Sequence, residues 1–271
     1  MRRAAHQILD RPPVFEDPLA VRILGQDTGE LPVEAPGLRA FLAARSRYAE
    51  DELANAVARG VHQYVVLGAG LDTFAYRNPH AGLRVFEVDH PATQEWKREL
   101  LRAAEIRIPE SAMLVPVDFE RESFERELMA AGFHGDEPAF FSWLGVTPYL
   151  TDDAFTGTLS RIGRMPRDSG VVFDYAVARS ALPAAEQAAL DRLSGRAARA
   201  GEPFQLFFEP RELEARLASM GFRAMEDLGA EDLNARYFRD RADGLKLRSG
   251  AGRLMRASID APAPLLQFED A

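Results

Sequence analysis

From residue 61 onward, short continuous apolar runs alternate with stretches whose apolar positions repeat at helical spacing. That alternation is the pattern of a parallel sheet with crossover helices. The runs predicted as strands are Gln63–Leu67, Arg84–Val88, Met113–Val117, Ala139–Leu144 and Val171–Ala176. Each is nearly all apolar, as strands covered on both faces must be. Between them, Pro91 after His90 suits the first turn of a helix running through Ala104. The stretch from Arg121 to Ala131 meets a stop at Gly132. Thr151 followed by Asp152 and Asp153 marks a capped start for a helix to Arg164.

The ends of the chain follow other rhythms. Pro183–Ala200 is Ala-rich and helical in propensity, broken by Gly195 and Gly201, which predicts a helical insertion near 183–205 that projects from the sheet. Glu209–Met220 predicts another helix, with Pro210 in its first turn and Gly221 closing it. Strands near Arg223–Leu228 and Arg253–Ile259 predict a hairpin-like finish. The first sixty residues carry no strand signal; Pro18–Leu24 and Leu38–Ala58 read as helices with a Pro/Gly-rich loop between. Residues 1–60 are therefore expected to form a helical cap over the carboxyl ends of the strands, within the same domain as 61–271.

Composition narrows the chemistry. The 271 residues carry a net charge of −9 and no cysteine, which excludes disulfides, thiolate zinc sites and Cys nucleophiles. The negative balance argues against a nucleic-acid groove, which needs clustered Lys and Arg. His6, His62, His80, His90 and His134 are scattered, with no pair at i, i+4, so a metal site is not expected. No apolar run is long enough to span a bilayer, and MRRAAHQILD has no apolar core behind its arginines; a cytoplasmic location is the expectation. Lysine occurs only as Lys97 and Lys246. Arginine is thus a compositional habit, and residue type alone marks no single Arg as functional.

The chemistry-bearing segment is VVLGAGLDTFAYR at 65–77, answered by VFEVDH at 85–90. A buried strand, a glycine turn, and acidic residues at the end of the next strand about 20 positions on are the spacing of a nucleoside-cofactor site. Gly68 and Gly70 let the backbone approach a ligand closely. Asp72 is expected at the opening of a helix, where a dinucleotide's pyrophosphate would otherwise sit. A carboxylate there suits a cationic ligand, such as the ammonium and sulfonium of S-adenosylmethionine; the competing role is a helix cap. The third fingerprint position is Thr73, so no G-x-G-x-x-G motif is present. Glu87 and Asp89 share a strand face, and one of them is expected to accept the ribose hydroxyls while the other only caps the helix at Pro91. Asp118 and Phe119, ending the third strand, are placed to meet a base, with core packing the alternative for Phe119.

These residues together resemble the leucine carboxyl methyltransferase family and its bacterial S-adenosylmethionine-dependent relatives. The matching pieces are VFEDPLA at 14–20, ARSRYAEDEL at 44–53, the two segments above, VPVDF at 115–119 and FFSWLGVTPYL at 140–150. GEPF at 201–204, FFEPRELEARLASMGF at 207–222 and RADGLKLRSGAGRLMRASI at 241–259 extend the likeness. The resemblance implies a class I methyltransferase Rossmann-like fold: a seven-stranded, mostly parallel sheet with helices on both faces, a reversed last strand and a helical N-terminal cap. It implies that Arg45, with Arg47 as the nearby alternative, pairs with the carboxylate of the methionine moiety. It implies further that Gly68, Ala69, Gly70 and Asp72 wrap the methionine half, that Asp89 holds the ribose, and that Asp118 and Phe119 read the adenine. Two departures stand out. Leu144 occupies a position where the family usually has Glu, so that cofactor contact is lost or made by backbone. Relatives also often have a helix ahead of the segment corresponding to MRRAAHQ.

The expected activity is S-adenosylmethionine-dependent methyl transfer, O-directed, to the carboxyl or hydroxyl of a small-molecule or natural-product acceptor. No His lies in a site motif, which favours an acceptor needing little activation. Tyr149 and Tyr175, after the fourth and fifth strands, are candidate acceptor contacts, with rim packing the alternative. Two other readings of the same fold are a nicotinamide-dependent oxidoreductase and a non-catalytic relative that kept the cofactor site.

Overall fold

The computed structural model describes residues 1–25, 35–118 and 124–259. Helices α1 (Arg2–Leu9), α2 (Leu19–Arg22) and α3 (Pro36–Ala58) precede β1 (Gln63–Leu67), β2 (Arg84–Asp89), α4 (Pro91–Ala103) and β3 (Ala112–Pro116). Then come α5 (Phe124–Ala130), β4 (Ala139–Trp143), α6 (Asp152–Ile162), β5 (Gly170–Ala176) and α7 (Ala184–Arg199). The chain finishes with α8 (Pro210–Ser219), β6 (Ala224–Leu228), α9 (Ala230–Tyr237) and β7 (Gly252–Ser258).

The strands form one seven-stranded sheet in the order β3-β2-β1-β4-β5-β7-β6. β1 to β5 run parallel, and β7 is antiparallel to both neighbours. The order reverses between β1 and β4, the switch point at which open α/β sheets bind ligands. Alternate strand residues feed two cores. Val65, Phe86, Phe141 and Phe173 share one with residues of α5, α6 and α8, while Tyr64, Val66, Val85, Phe140 and Val172 share the other with α3 and α9. Registers Val65↔Phe86 and Val65↔Phe141 place the aromatic rows side by side, and both-face burial explains the unbroken apolar runs in the sequence.

The five predicted parallel strands all form, each within two residues of its expected ends. The capped helices form as well. His90 accepts the Ala92 N–H through Nδ1 at 3.2 Å ahead of Pro91, and Thr151 Oγ1 accepts the Ala154 N–H at 3.3 Å.

Four features differ from expectation. The glycine turn leads into a 3-10 turn, Phe74–Tyr76, and not an α-helix. α7 runs straight through Gly195 and stops only before Gly201, which takes φ +87°. A mid-helix Gly costs about 1 kcal/mol relative to Ala, and the surrounding Ala, Leu and Arg absorb that. β6 and β7 do pair antiparallel, but α9 separates them in sequence and β7 inserts between β6 and β5. Helices α1 and α9 were not expected; each is 8 residues long and buries little large apolar surface.

The N-terminal segment is only partly a cap. The far half of α3 packs Tyr48, Leu53 and Ala56 against the sheet face as any crossover helix would. Its buried Ala40, Ala43, Ala44 and Ala49 keep the helix close to the sheet. The near half of α3 and the first residues of α1 border the carboxyl end of β1. One tie to α3 holds α1 there: Arg39 grips Asp10, the residue that ends α1, with Nε and Nη2 at 2.8 and 2.9 Å, and His6 of the same helix bonds Asp10 at 2.8 Å. His6 Nε2 accepts the Val14 and Phe15 N–H groups, so the proton sits on Nδ1.

Candidate active site

β1 ends at Leu67, and the backbone folds immediately over β2: the Gly68 and Ala69 N–H groups both donate to Val88 O, at 2.8 and 3.1 Å. Gly68 takes φ +66°, and a Cβ there would lie 2.4 Å from Val146 Cγ2. Only glycine meets both demands. Gly70, at φ +43°, donates its N–H to Asp89 Oδ2 at 2.6 Å, and a Cβ built on it would meet nothing within 4 Å. The turn is thus closed on its inner side and open above. The opening is a cavity of about 290 Å³ between this turn, α1, the near half of α3 and the end of β4.

Arg2, Arg3, Arg45 and Asp72 bring charge to a wall that is otherwise mainly apolar. Asp72 Oδ2 accepts from Arg3 Nη1 at 2.7 Å, and Asp72 Oδ1 accepts the Phe74 N–H at 2.8 Å. Burial pushes the Asp72 carboxyl up, but Arg3, Lys97, the Phe74 N–H and Arg77 outweigh it and hold it below the usual carboxylate range. Arg3 also donates to Leu71 O. Behind them sits Asp17, wholly buried, which accepts from Thr73 Oγ1 at 2.6 Å and lies 3.5 Å from Arg3 Nε and 3.4 Å from Arg77 Nε. Arg77 continues the chain to Glu50. This line of alternating charges fastens α1, the glycine turn and α3 together. On the other side, Arg45 Nη1 meets Asp174 Oδ2 at 2.7 Å, and Asp174 Oδ1 accepts the Gly145 N–H at 2.5 Å. A Cβ on Gly145 would fall 2.8 Å from Arg45 Nη2, so the glycine leaves room for the guanidinium.

Of the residues expected from the sequence, Arg45, Gly68, Ala69, Gly70, Asp72 and Leu144 all line this cavity. Asp89 adjoins it through Gly70, half-buried at the tip of β2. Asp72 lines the cavity and also accepts the Phe74 N–H at the start of the 3-10 turn, whose N-cap is Thr73. Glu87 is a correction. Its side chain is 0% exposed and its Oε2 lies 2.7 Å from Lys97 Nζ, with Tyr76 OH donating at 2.7 Å. Sharing a strand face with Asp89 does not bring it to the cleft, because it stands two residues deeper along β2. Asp118 is half-buried at the far side of β2 and lines neither cavity; Phe119 lies outside the described residues. Arg47 turns to Asp51 at 2.7 Å on an exposed face. Sequence reasoning missed Arg3 and Asp174. Nothing local marks Arg3, whereas Asp174 was legible as an acidic residue inside an otherwise apolar strand.

A second cavity, about 640 Å³, adjoins the first, and Leu42 and Arg45 line both. Its walls come from α3, α7, the loop after β4, the end of β5 and the segment before β7, and they are largely apolar: Leu38, Phe41, Leu190, Leu193, Phe204 and Leu247 among them. Tyr149 lines it, edge-on to Phe204 at 5.2 Å between ring centres. Tyr175 lines it too, but its hydroxyl donates to Asp227 Oδ2 at 3.0 Å and is not free for an acceptor. Among the described residues, no His or Lys borders this cavity, and no cluster of His, Asp or Glu could hold a metal ion.

A nucleoside carrying an amino-acid tail fits the first cavity. The open face of Gly70 leaves backbone-close space for it. Arg3 and Arg45 offer charge to a carboxylate, and Asp72 offers charge to a cation. The strand order, the reversed β7 and a cavity at the switch point define the class: a class I methyltransferase fold. Solved structures agree at the level of fold. A DUF574 family protein from Streptomyces avermitilis superposes with TM-score 0.57 at 16% identity, covering 84% of this chain and 87% of that one. Magnesium protoporphyrin IX methyltransferase from Synechocystis, solved with S-adenosylhomocysteine bound, superposes with TM-score 0.52 at 13% identity, covering 88% and 91%. In sequence, the chain is 38% identical over 205 residues to YktD of Bacillus subtilis, covering 74% of this chain and 67% of that protein. It is 30% identical over 265 residues to a protein of Saccharopolyspora erythraea, covering 91% and 88%. A Parafrankia relative matches over 138 residues, 44% of its own length. All three relatives carry names that place them among S-adenosyl-L-methionine-dependent methyltransferases.

Residues 1–163 match the leucine carboxyl methyltransferase family, and the chain belongs to it. It is an S-adenosylmethionine-dependent methyltransferase, and the nicotinamide reading falls away.

Proposed function

We propose that the chain O-methylates a small, largely apolar acceptor held in the second cavity. One observation carries this reading: the donor cavity and a larger apolar cavity share a wall at Leu42 and Arg45. When bound, S-adenosylmethionine supplies an electrophilic methyl group on a sulfonium. In this reading Arg45 and Arg3 hold its carboxylate, Asp72 faces its ammonium, Gly68 to Gly70 pack against its tail, and Asp89 meets the ribose. Leu144 offers only apolar contact where the family usually has a carboxylate.

The remaining work of the protein is positioning and exclusion of water. The apolar walls fix the acceptor with its oxygen toward the shared wall. A carboxylate acceptor is already ionised and needs no base. A hydroxyl acceptor gives up a proton, and Asp174, the carboxylate that lines the second cavity beside Arg45, would receive it. Three guanidinium groups, those of Arg45, Arg196 and Arg248, border the cavity and disfavour an ammonium, which counts against amine acceptors. No helix among the described residues is long and apolar enough to cross a membrane. The test is transfer of labelled methyl from the cofactor to a panel of apolar carboxylic acids, phenols, alcohols and amines. Label is expected in base-labile esters or in ethers; label confined to nitrogen or carbon products refutes O-methylation.

A further inference from the structure

The second cavity is apolar along its floor but not at its mouth. α7 turns one face to it through Ala189, Leu190, Leu193 and Arg196, positions spaced by one, four and seven residues. The first three continue the apolar wall, and Arg196 is exposed at the outer end. Across the opening, Leu247 repeats the apolar contact and Arg248, also exposed, repeats the charge. Arg248 is set beside the start of α3, where a Cβ on Gly37 would lie 3.6 Å from it. The one carboxylate lining this cavity among the described residues, Asp174, sits at the inner end and is already paired with Arg45. Positive charge at the mouth is therefore not balanced within the cavity wall, although the chain as a whole carries −9.

We propose that the acceptor is an anionic amphiphile: an apolar body in the cavity, and a carboxylate, sulfonate or phosphate at the mouth between Arg196 and Arg248. This rests on the assignment of the second cavity to the acceptor. It adds that the methylated oxygen lies at the opposite end of the molecule from the anion, beside Arg45 and Asp174. Guanidinium pairs suit such oxyanions because each presents a planar fork of donors. At an exposed mouth the effect is modest, but it selects among molecules of equal hydrophobicity.

The test is binding, without cofactor, of two fluorescent probes of similar size: anionic 8-anilinonaphthalene-1-sulfonate and neutral N-phenyl-1-naphthylamine. Decanoate and decanol serve as competitors. Decanoate is expected to displace the probes about five- to tenfold more tightly than decanol. In the Arg196→Gln/Arg248→Gln variant that preference should vanish, with the neutral probe still bound as before. Ala189→Trp, which fills the cavity, should abolish binding of both probes. Equal displacement by acid and alcohol overturns the proposal, as does a preference that survives loss of both arginines, or probe binding that survives Ala189→Trp. Failure of the methyltransfer reading is seen separately: the anion preference would hold while no panel acceptor takes label. The converse, label on neutral acceptors with no anion preference, overturns the mouth assignment alone.

Discussion

Replacing Lys97 with Met separates a carboxylate that serves the fold from one that serves the ligand. Lys97 Nζ and Glu87 Oε2 lie 2.7 Å apart with side chains 1% and 0% exposed. Burial is the largest influence on Glu87 and pushes its carboxyl above the ordinary 4.5; Lys97 and the Tyr76 hydroxyl pull it back without cancelling the effect. Removing one partner of a buried pair leaves the other uncompensated, at a cost of about 3–5 kcal/mol. At about 2–4 °C per kcal/mol for a chain of this size, Tm should fall by roughly 6–20 °C.

The pH dependence gives the sharper signature. A carboxyl whose folded pKa is raised favours the native state when protonated. Its contribution to stability is therefore greatest in acid, and it is lost as pH rises from 4.5 through the folded value. Lys97→Met raises that folded value further and widens the window of loss. The variant should be weakest near pH 8 and recover part of its deficit near pH 5, whereas Lys97→Met/Glu87→Gln should recover most of it at both. Urea unfolding read by Trp143 measures this, since that side chain is 3% exposed and stacked on Phe155 at 5.8 Å. Affinity for S-adenosylhomocysteine should stay within about threefold, less than one lost hydrogen bond. A deficit under about 1 kcal/mol, or one equal at both pH values, refutes the argument. A tenfold affinity loss at unchanged stability would instead return Glu87 to the ribose site.

Two further outcomes probe the donor cavity. Arg45→Met should weaken S-adenosylhomocysteine binding by about 10- to 100-fold in calorimetry, the worth of a charge-assisted hydrogen bond; an unchanged Kd would remove Arg45 from the site. Gly68→Ala should cost about 1–2 kcal/mol for its left-handed backbone alone, with a further clash against Val146 Cγ2. Thermal unfolding of Gly68→Ala/Val146→Ala should recover the clash and leave the backbone share, and full recovery would refute the backbone share.

The parallel sheet was legible because its signal is local: each strand is a run such as Tyr64–Leu67 or Phe140–Trp143, buried on both faces and readable without its neighbours. The donor turn was legible for the same reason, since Gly68, Gly70 and Asp89 belong to consecutive strand ends. Depth was not. Period two puts Glu87 and Asp89 on one face and cannot say where along the strand burial ends; Glu87 is flanked by Val66 and Leu114, whereas Asp89 pairs only with Pro116. A clue was present in Lys97, one of only two lysines, seven positions into the helix that follows. Helix α1 was illegible because what it buries is Ala4, Ala5 and His6. It is held instead by Asp10–Arg39 and by Arg3 with Asp72, partners 29 and 69 residues apart. The acceptor cavity is the extreme case, with walls drawn from residues as distant as Leu38 and Gly252. A cofactor held by successive strand ends leaves its mark on short segments, whereas an acceptor bounded by six separated segments leaves none.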